Sequence, residues 1–152
     1  MKNIKPLVIL CLAIQLSACT VLPLSETDPK RSVNWCPPLP NCASTEAVSF
    51  VHKVKPFILT IPLSEAWPSI VKAVEQLPRT SIEKSYPGYI YAKTQSEKFK
   101  FVDYFEVLAV PENERLMVRS ASQMGLSDMF VNAARINQFR AILLRQGVVK
   151  KD

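Results

Sequence analysis

Two carboxylates and two guanidiniums stand out because the pattern around them is apolar. Asp103 lies in FKFVDYFEV, where alternation puts Phe99, Phe101, Asp103, Phe105 and Val107 on one strand face. Arg119 and Asp128 bracket the stretch RSASQMGLSD, and Arg135 falls near one helical stripe with Val131, Phe139, Ile142 and Gln146. A carboxylate in apolar surroundings has a raised pKa and can work as an acid or base, so Asp103 and Asp128 could serve a hydrolase-like site. A guanidinium beside the acid reverses that shift. The pair then becomes a structural tie, since a lone buried charge is costly and a paired one is tolerated. The tie is the expected outcome: Asp103 pairs with Arg135 or Arg119 and fastens a sheet to the C-terminal helix. Asp128 is placed to cap that helix, and Gly125 suits a turn with positive φ.

Other chemistries have less to stand on. Ser120, Ser122 and Ser127 are near the charges, but the single histidine, His52, lies far away in an apparent strand. There is no Gly-x-Ser-x-Gly elbow and no phosphate-cradling glycine loop, and the chain has only 3 glycines. Two cysteines and one histidine fall short of a four-ligand structural zinc site. No metal and no cofactor are expected.

The first residues, MKNIKPLVILCLAIQLSAC, place the chain. Lys2 and Lys5 precede an apolar run from Leu7 to Ile14, and small residues follow up to Cys19, which is the build of a secretory signal. The run is well short of the roughly 20 apolar residues that span a bilayer. Leu16-Ser17-Ala18-Cys19 has the pattern of a bacterial lipobox. That pattern implies a signal peptide over residues 1–18, cleavage before Cys19 and several acyl chains on Cys19, enough to hold a protein on a membrane stably. Thr20, where an aspartate would favour retention at the inner membrane, points to the outer membrane and its periplasmic side. Removing residues 1–18 from the 152 leaves 134 residues, and losing Lys2 and Lys5 takes the formal charge from +6 to +4. The remaining basic residues are spread along the chain instead of forming a stripe, so no nucleic-acid partner is expected, and weak attraction to anionic headgroups is a better use of the charge. In the envelope disulfides persist, and Cys36 and Cys42 flank the rigid turn Pro37-Pro38-Leu39-Pro40-Asn41, so a disulfide is expected there.

The elements that must position these residues follow from period and punctuation. Residues 19–35 read as the lipidated end and a flexible tether, and 36–149 as a single domain opening with the disulfide loop. Phe50 to Pro62 looks extended, with Pro56 making it an edge strand or breaking it in two. In SEAWPSIVKAVEQLP, Ser64 is a plausible N-cap, Pro68 falls in the first turn and Pro78 ends the helix; Trp67, Ile70, Val71, Val74 and Leu77 recur at helical spacing. SIEKSY turns at Pro87-Gly88 into YIYAKTQS, and KFKFVDYFEVLAV turns at Pro111 to Glu114 into RLMVRSAS. A helix from Ser127 or Asp128 to Gln146 is closed by Gly147. The order strand, helix, four strands, helix predicts an α+β fold: an antiparallel meander sheet of about five strands with two helices on one face.

Three stretches, CPPLPNCAS (Cys36 to Ser44), YAKTQSEKFKFVDYFEV (Tyr91 to Val107) and VRSASQMGLSDMFVNAARI (Val118 to Ile136), resemble the motifs of the domain of unknown function 1499 family. The resemblance spans Cys36 to the end of the last helix. It implies a compact α+β domain, often found in envelope proteins, in which Asp103, Arg119, Asp128, Asn132 and Arg135 form one constellation. This chain has Asp103-Tyr104 where the family typically shows two adjacent aspartates, and Gln123 where it shows an arginine. A working site built on those residues would be incomplete here. The sequence thus predicts a membrane-tethered, non-catalytic module that binds an apolar small ligand or an envelope protein.

Overall fold

The computed structural model describes residues 33–151. The expected signal peptide over 1–18, the expected lipid site Cys19 and the expected tether up to residue 32 lie outside the described residues. Six strands form one antiparallel sheet: β1 (Cys42–Ser44), β2 (Phe57–Ile58), β3 (Thr80–Tyr86), β4 (Tyr89–Gln95), β5 (Val102–Val110) and β6 (Arg115–Ser122). Two helices, α1 (Leu63–Glu75) and α2 (Val131–Arg145), complete the α+β fold. The order across the sheet is β1-β6-β5-β4-β3, and β2 also pairs with β6. The meander therefore runs from β3 to β6 through short turns. The far edge of β6 is then covered in two pieces, by β1 along Arg119–Ala121 and by β2 along Arg115–Leu116.

Of the two outcomes expected for Phe50 to Pro62, an edge strand or a stretch broken at Pro56, the edge shows the break. Pro56 leaves only Phe57–Ile58 as strand, and Ser49 to His52 turn back so that Ser44 N–H donates to the His52 carbonyl at 2.8 Å. The other edge strand, β3, protects itself with exposed Glu83 and Lys84 and a register shift between Ile82 and Lys84. The C-terminus returns to the body: Thr60 N–H donates to Val148 O, and Lys150 N–H to Ile58 O.

The core lies between the sheet and the helices. Ile90, Ala92, Phe105, Val107, Leu116 and Val118 supply the sheet's side, alternate residues of β4, β5 and β6 in register. Facing them, α1 contributes Ala66, Ile70, Ala73 and Val74, and α2 contributes Ile136, Phe139, Ile142 and Leu143. Phe139 is wedged between Phe57 and Phe105, ring centroids 5.5 and 5.3 Å away. Pro62, not Ser64, occupies the cap position of α1, and Pro68 is the sixth residue of the helix, past its first turn. Proline there removes one helical hydrogen bond. The buried face keeps the helix, since tertiary packing outweighs propensity.

Both faces of the sheet are buried in part. Behind the core, Tyr89, Tyr91 and Tyr104 form a second cluster with Val102 and Leu108 against it. Val33 to Trp35, read from sequence as the last of the tether, belong to the packed body: Val33 is fully buried and its carbonyl accepts from Ser44 Oγ at 2.7 Å. The Cys36–Cys42 disulfide ties this segment to β1. Closing so short a loop contributes about 2 kcal/mol. Reduction, or a Cys36→Ser and Cys42→Ser pair, should lower the free energy of denaturant unfolding by that amount while leaving far-ultraviolet dichroism unchanged.

Candidate functional site

The helix face of the sheet turns polar at one end. Continuing the alternation of β5 and β6 past Phe105 and Val118 brings Asp103, Ser120 and Ser122 onto the face that meets α2. There α2 presents Asn132 and Arg135, one turn apart. Arg135 Nη2 donates to Asp103 Oδ2 at 2.6 Å. Its Nη1 donates to Ser120 Oγ and to Asn132 Oδ1, both at 2.7 Å. The Ser120 hydroxyl is 2.6 Å from Asn132 Oδ1 and 3.2 Å from the Tyr104 carbonyl, so its proton has two acceptors in reach. Asn132 Nδ2 donates to the Asn41 carbonyl and to Ser122 Oγ. Asp103, Ser120, Ser122, Asn132 and Arg135 are all buried. The guanidinium is thus held by a carboxylate on one side and by two neutral oxygens on the other, the arrangement that makes a buried charge tolerable.

Asp128 closes the other end of this network. Its Oδ1 accepts from Phe130 N–H at 3.0 Å and its Oδ2 from Asn132 N–H at 2.8 Å. The helix itself begins at Val131, later than the sequence indicated, because Met129 and Phe130 have φ of 51° and 66° and cannot be its first turn. Asp128 therefore satisfies helix-entry amides from outside the helix, across a left-handed turn. The buried stripe of α2 is also recentred. Asn132, Arg135, Ile136, Phe139, Arg140, Ile142 and Leu143 face inward, while Val131 and Gln146 face solvent.

Arg119 is not part of this cluster. Strand alternation puts it on the opposite face of the sheet, where its Nη1 donates to Glu106 Oε2 at 3.0 Å and its Nε to the Trp35 carbonyl at 2.7 Å. Tyr89 Oη donates to the other oxygen of Glu106 at 2.9 Å. The expected single constellation is two buried ion pairs, back to back through the sheet: Asp103–Arg135 towards α2 and Glu106–Arg119 towards the N-terminal segment. Tyr104, beside Asp103 in sequence, stacks on Tyr91 on that second face, and burial pushes its phenol up from the ordinary value. Glu106 went unnoticed in the sequence. The signal was available in the alternation of β5 and in the register Glu106 opposite Arg119, which the turn at Pro111 to Asn113 fixes. Asn41 was missed as well, since nothing local marks it. Its Nδ2 donates to the Gly125 carbonyl at 2.7 Å, and its buried Oδ1 makes no hydrogen bond among the described residues.

Phe99 and Phe101 also depart from expectation. Alternation predicted them on the face of Asp103 and Phe105, but β5 begins only at Val102, and both rings are exposed in the preceding loop. Asp103 is consequently at the margin of the apolar core, not inside a ring of phenylalanines.

Chemically, this arrangement holds groups still. Ser120 Oγ accepts from a guanidinium, which makes its oxygen a poorer nucleophile, and the adjacent carboxylate is committed to Arg135. His52, whose Nδ1 lies 2.9 Å from the Cys42 carbonyl, sits beside β1. A hollow beside Asp128, lined also by Pro40, Cys42, Val51, Phe130 and Ala133, has about 20 Å³ of room. That admits one water molecule. Larger open grooves of about 410 Å³ lie elsewhere, one between the end of α1 and β3–β4, the other along Trp35 to Pro38 and Ala47 to His52. Among the described residues no three His, Cys, Asp or Glu side chains are grouped to hold a metal. Nor is any described helix long and apolar enough to cross a membrane.

A family model described as a protein of unknown function (DUF1499) matches residues 32–143, well over half of the chain. The chain belongs to the DUF1499 family. The matched span begins beside buried Val33, takes in every residue of both ion pairs, and ends with Leu143, the last fully buried residue of α2. What this DUF1499 match encloses is thus the whole sheet, the disulfide loop, α1 and α2 as far as Leu143. No curated protein matches the chain.

Proposed function

We propose that this DUF1499 protein is a non-catalytic interaction module of the bacterial envelope, cleaved before Cys19 and held by lipid at the periplasmic face of the outer membrane. The carrying observation is that the residues best suited to chemistry spend their hydrogen bonds on one another. Asp103, Arg135, Asn132 and Ser120 form a closed, buried set, and Asp128 gives both oxygens to backbone amides. A hydrolase would need an acid or base facing substrate, and the adjacent hollow has room for a water molecule only. The space between sheet and helices is filled by Phe57, Phe105, Phe139 and their neighbours. An apolar ligand between sheet and helices would have to displace that core, so the domain works through its surface. The lipobox pattern Leu16-Ser17-Ala18-Cys19 and a disulfide suited to an oxidising compartment support the location.

The anchor is tested by growing cells that express the full chain with labelled palmitate. Label is expected on the wild-type protein and none on Cys19→Ser, which should also accumulate with its signal uncleaved. A wild-type chain that takes up no label overturns the anchor.

A further inference from the structure

One end of the sheet is unusually apolar outside. The β4–β5 loop carries Phe99 and Phe101, and the β6–α2 loop carries Met124, Leu126, Met129 and Phe130, all of them exposed, Met129 at 85%. Both loops leave from the same end of the sheet, where Asp103 pairs with Ser122 and Gln123 N–H donates to the Val102 carbonyl. Single exposed apolar residues are ordinary, but six on adjoining loops form the kind of patch that marks a contact.

These side chains are held out by the backbone. Ser96 N–H donates to the Phe101 carbonyl and Phe101 N–H to Ser96 Oγ, both at 2.9 Å, closing the first loop on itself. The two phenylalanine rings stack with centroids 5.5 Å apart. In the second loop, Met129 and Phe130 sit at positive φ, a conformation L residues seldom adopt, fixed by Asp128 on Phe130 N–H and Ser127 Oγ on Met129 N–H. The fold thus uses a strained turn to display two large apolar side chains to solvent.

We infer that this end of the domain is a membrane-docking surface, seated on the anionic headgroups and upper acyl region of the bilayer that carries the anchor. The inference rests on the proposed lipid at Cys19 in one respect, that the lipid brings the domain to a bilayer. The choice of bilayer over protein comes from the residues between the apolar ones. Lys98 and Lys100 alternate with Phe99 and Phe101, against Glu97 in the same loop and Asp128 in the other, whose two carboxylate oxygens accept backbone N–H groups, and neither lysine has an ion pair among the described residues. Protein interfaces are depleted in lysine and seat their aromatic anchors in pockets. Membrane-surface segments combine aromatic and aliphatic tips with lysines whose ammonium groups reach the phosphates. Here the hydrophobic side chains project from loop tips, and the hollow beside Phe130 admits no anchor side chain.

The test uses the full chain, purified from membranes and reconstituted into vesicles of zwitterionic lipid with or without phosphatidylglycerol. A fluorophore is attached at Leu126→Cys, or at Glu112→Cys in the turn at the opposite end of the sheet, and lipid-borne nitroxides quench it. Quenching is expected to be several-fold stronger at 126 than at 112, to grow with phosphatidylglycerol, and to lose that growth in Lys98→Gln/Lys100→Gln. Equal or weaker quenching at 126 overturns the docking surface and turns the patch into a site for a protein partner. The mass of the N-terminal peptide reports the lipid independently. A lipidated chain without quenching at 126 loses the docking surface alone, an unlipidated chain that is still quenched there loses the anchor alone, and one that is neither loses both.

Discussion

Asp103→Asn is expected to cost about 3–5 kcal/mol of folding stability, the usual consequence of leaving one charge of a buried ion pair without its partner. Asparagine keeps the shape and one acceptor oxygen, so Arg135 Nη2 can still find a hydrogen bond where Asp103 Oδ2 now stands 2.6 Å away. What it loses is the counter-charge. Ser120 and Asn132 supply neutral oxygens to the same guanidinium but cannot neutralise it. Denaturant unfolding measures the loss. Adding Arg135→Met to Asp103→Asn removes the stranded charge and should recover part of it, because an apolar residue of similar volume often replaces a buried pair at little cost. The hydrolase reading of Asp103 predicts the reverse: an intact fold with unchanged unfolding free energy. That result would overturn the structural role assigned here to the whole polar network.

The second large effect belongs to Phe139→Ala, at about 3–5 kcal/mol from lost burial plus the cavity left behind. Phe139 is fully buried and touches both Phe57 of the short edge strand β2 and Phe105 of the central strand β5. Its removal therefore loosens α2 and the β2 edge together. Arg140, the next residue, stacks its guanidinium 3.9 Å over the Phe57 ring and donates to the carbonyls of Lys55 and Pro56, so the backbone around β2 hangs on two consecutive side chains of α2. Asp103 and Phe139 fasten the same helix to the same strand at different levels. Their effects should sum to less than the separate losses if the first substitution already frees α2, and a double-mutant cycle on unfolding free energies reads that coupling. A wild-type-like Phe139→Ala would mean that α2 is not seated by this ring.

The meander could be read in the sequence because its signals are local. Pro87-Gly88 and Pro111 to Glu114 punctuate alternating runs, and the structure turns at both places. The same holds for the body of α1, which ends ahead of Pro78, and for the closing of α2 near Gly147, where the chain has positive φ. The disulfide followed from two cysteines around a proline-rich turn. Boundaries were less legible. Alternation alone extended β5 back to Phe99, although pairing with β4 and β6 starts at Val102 and Asp103, and the phenylalanines outside the ladder turned to solvent. Periodicity placed the start of α2 at Ser127 or Asp128, because the left-handed turn at Met129 and Phe130 involves residue types that carry no such signal.

By itself, the sequence determined that this chain would make an antiparallel sheet with two covering helices and that its inward charges would need partners. Period, turn chemistry and the cost of an unpaired charge act over a few residues and leave their marks there. Which charges met was decided only in three dimensions. Arg119 and Arg135 were equally plausible partners for Asp103 until strand register put Arg119 on the other face, opposite Glu106, and left Asp103 to Arg135. The split of one apparent constellation into two pairs back to back depends on contacts 13 and 32 residues apart along the chain. The gathering of six exposed apolar side chains on two loops at one end likewise depends on strands that meet only when the sheet closes. No local pattern encodes such neighbours, since the free energy that selects them comes from burying the whole sheet against α1 and α2 at once.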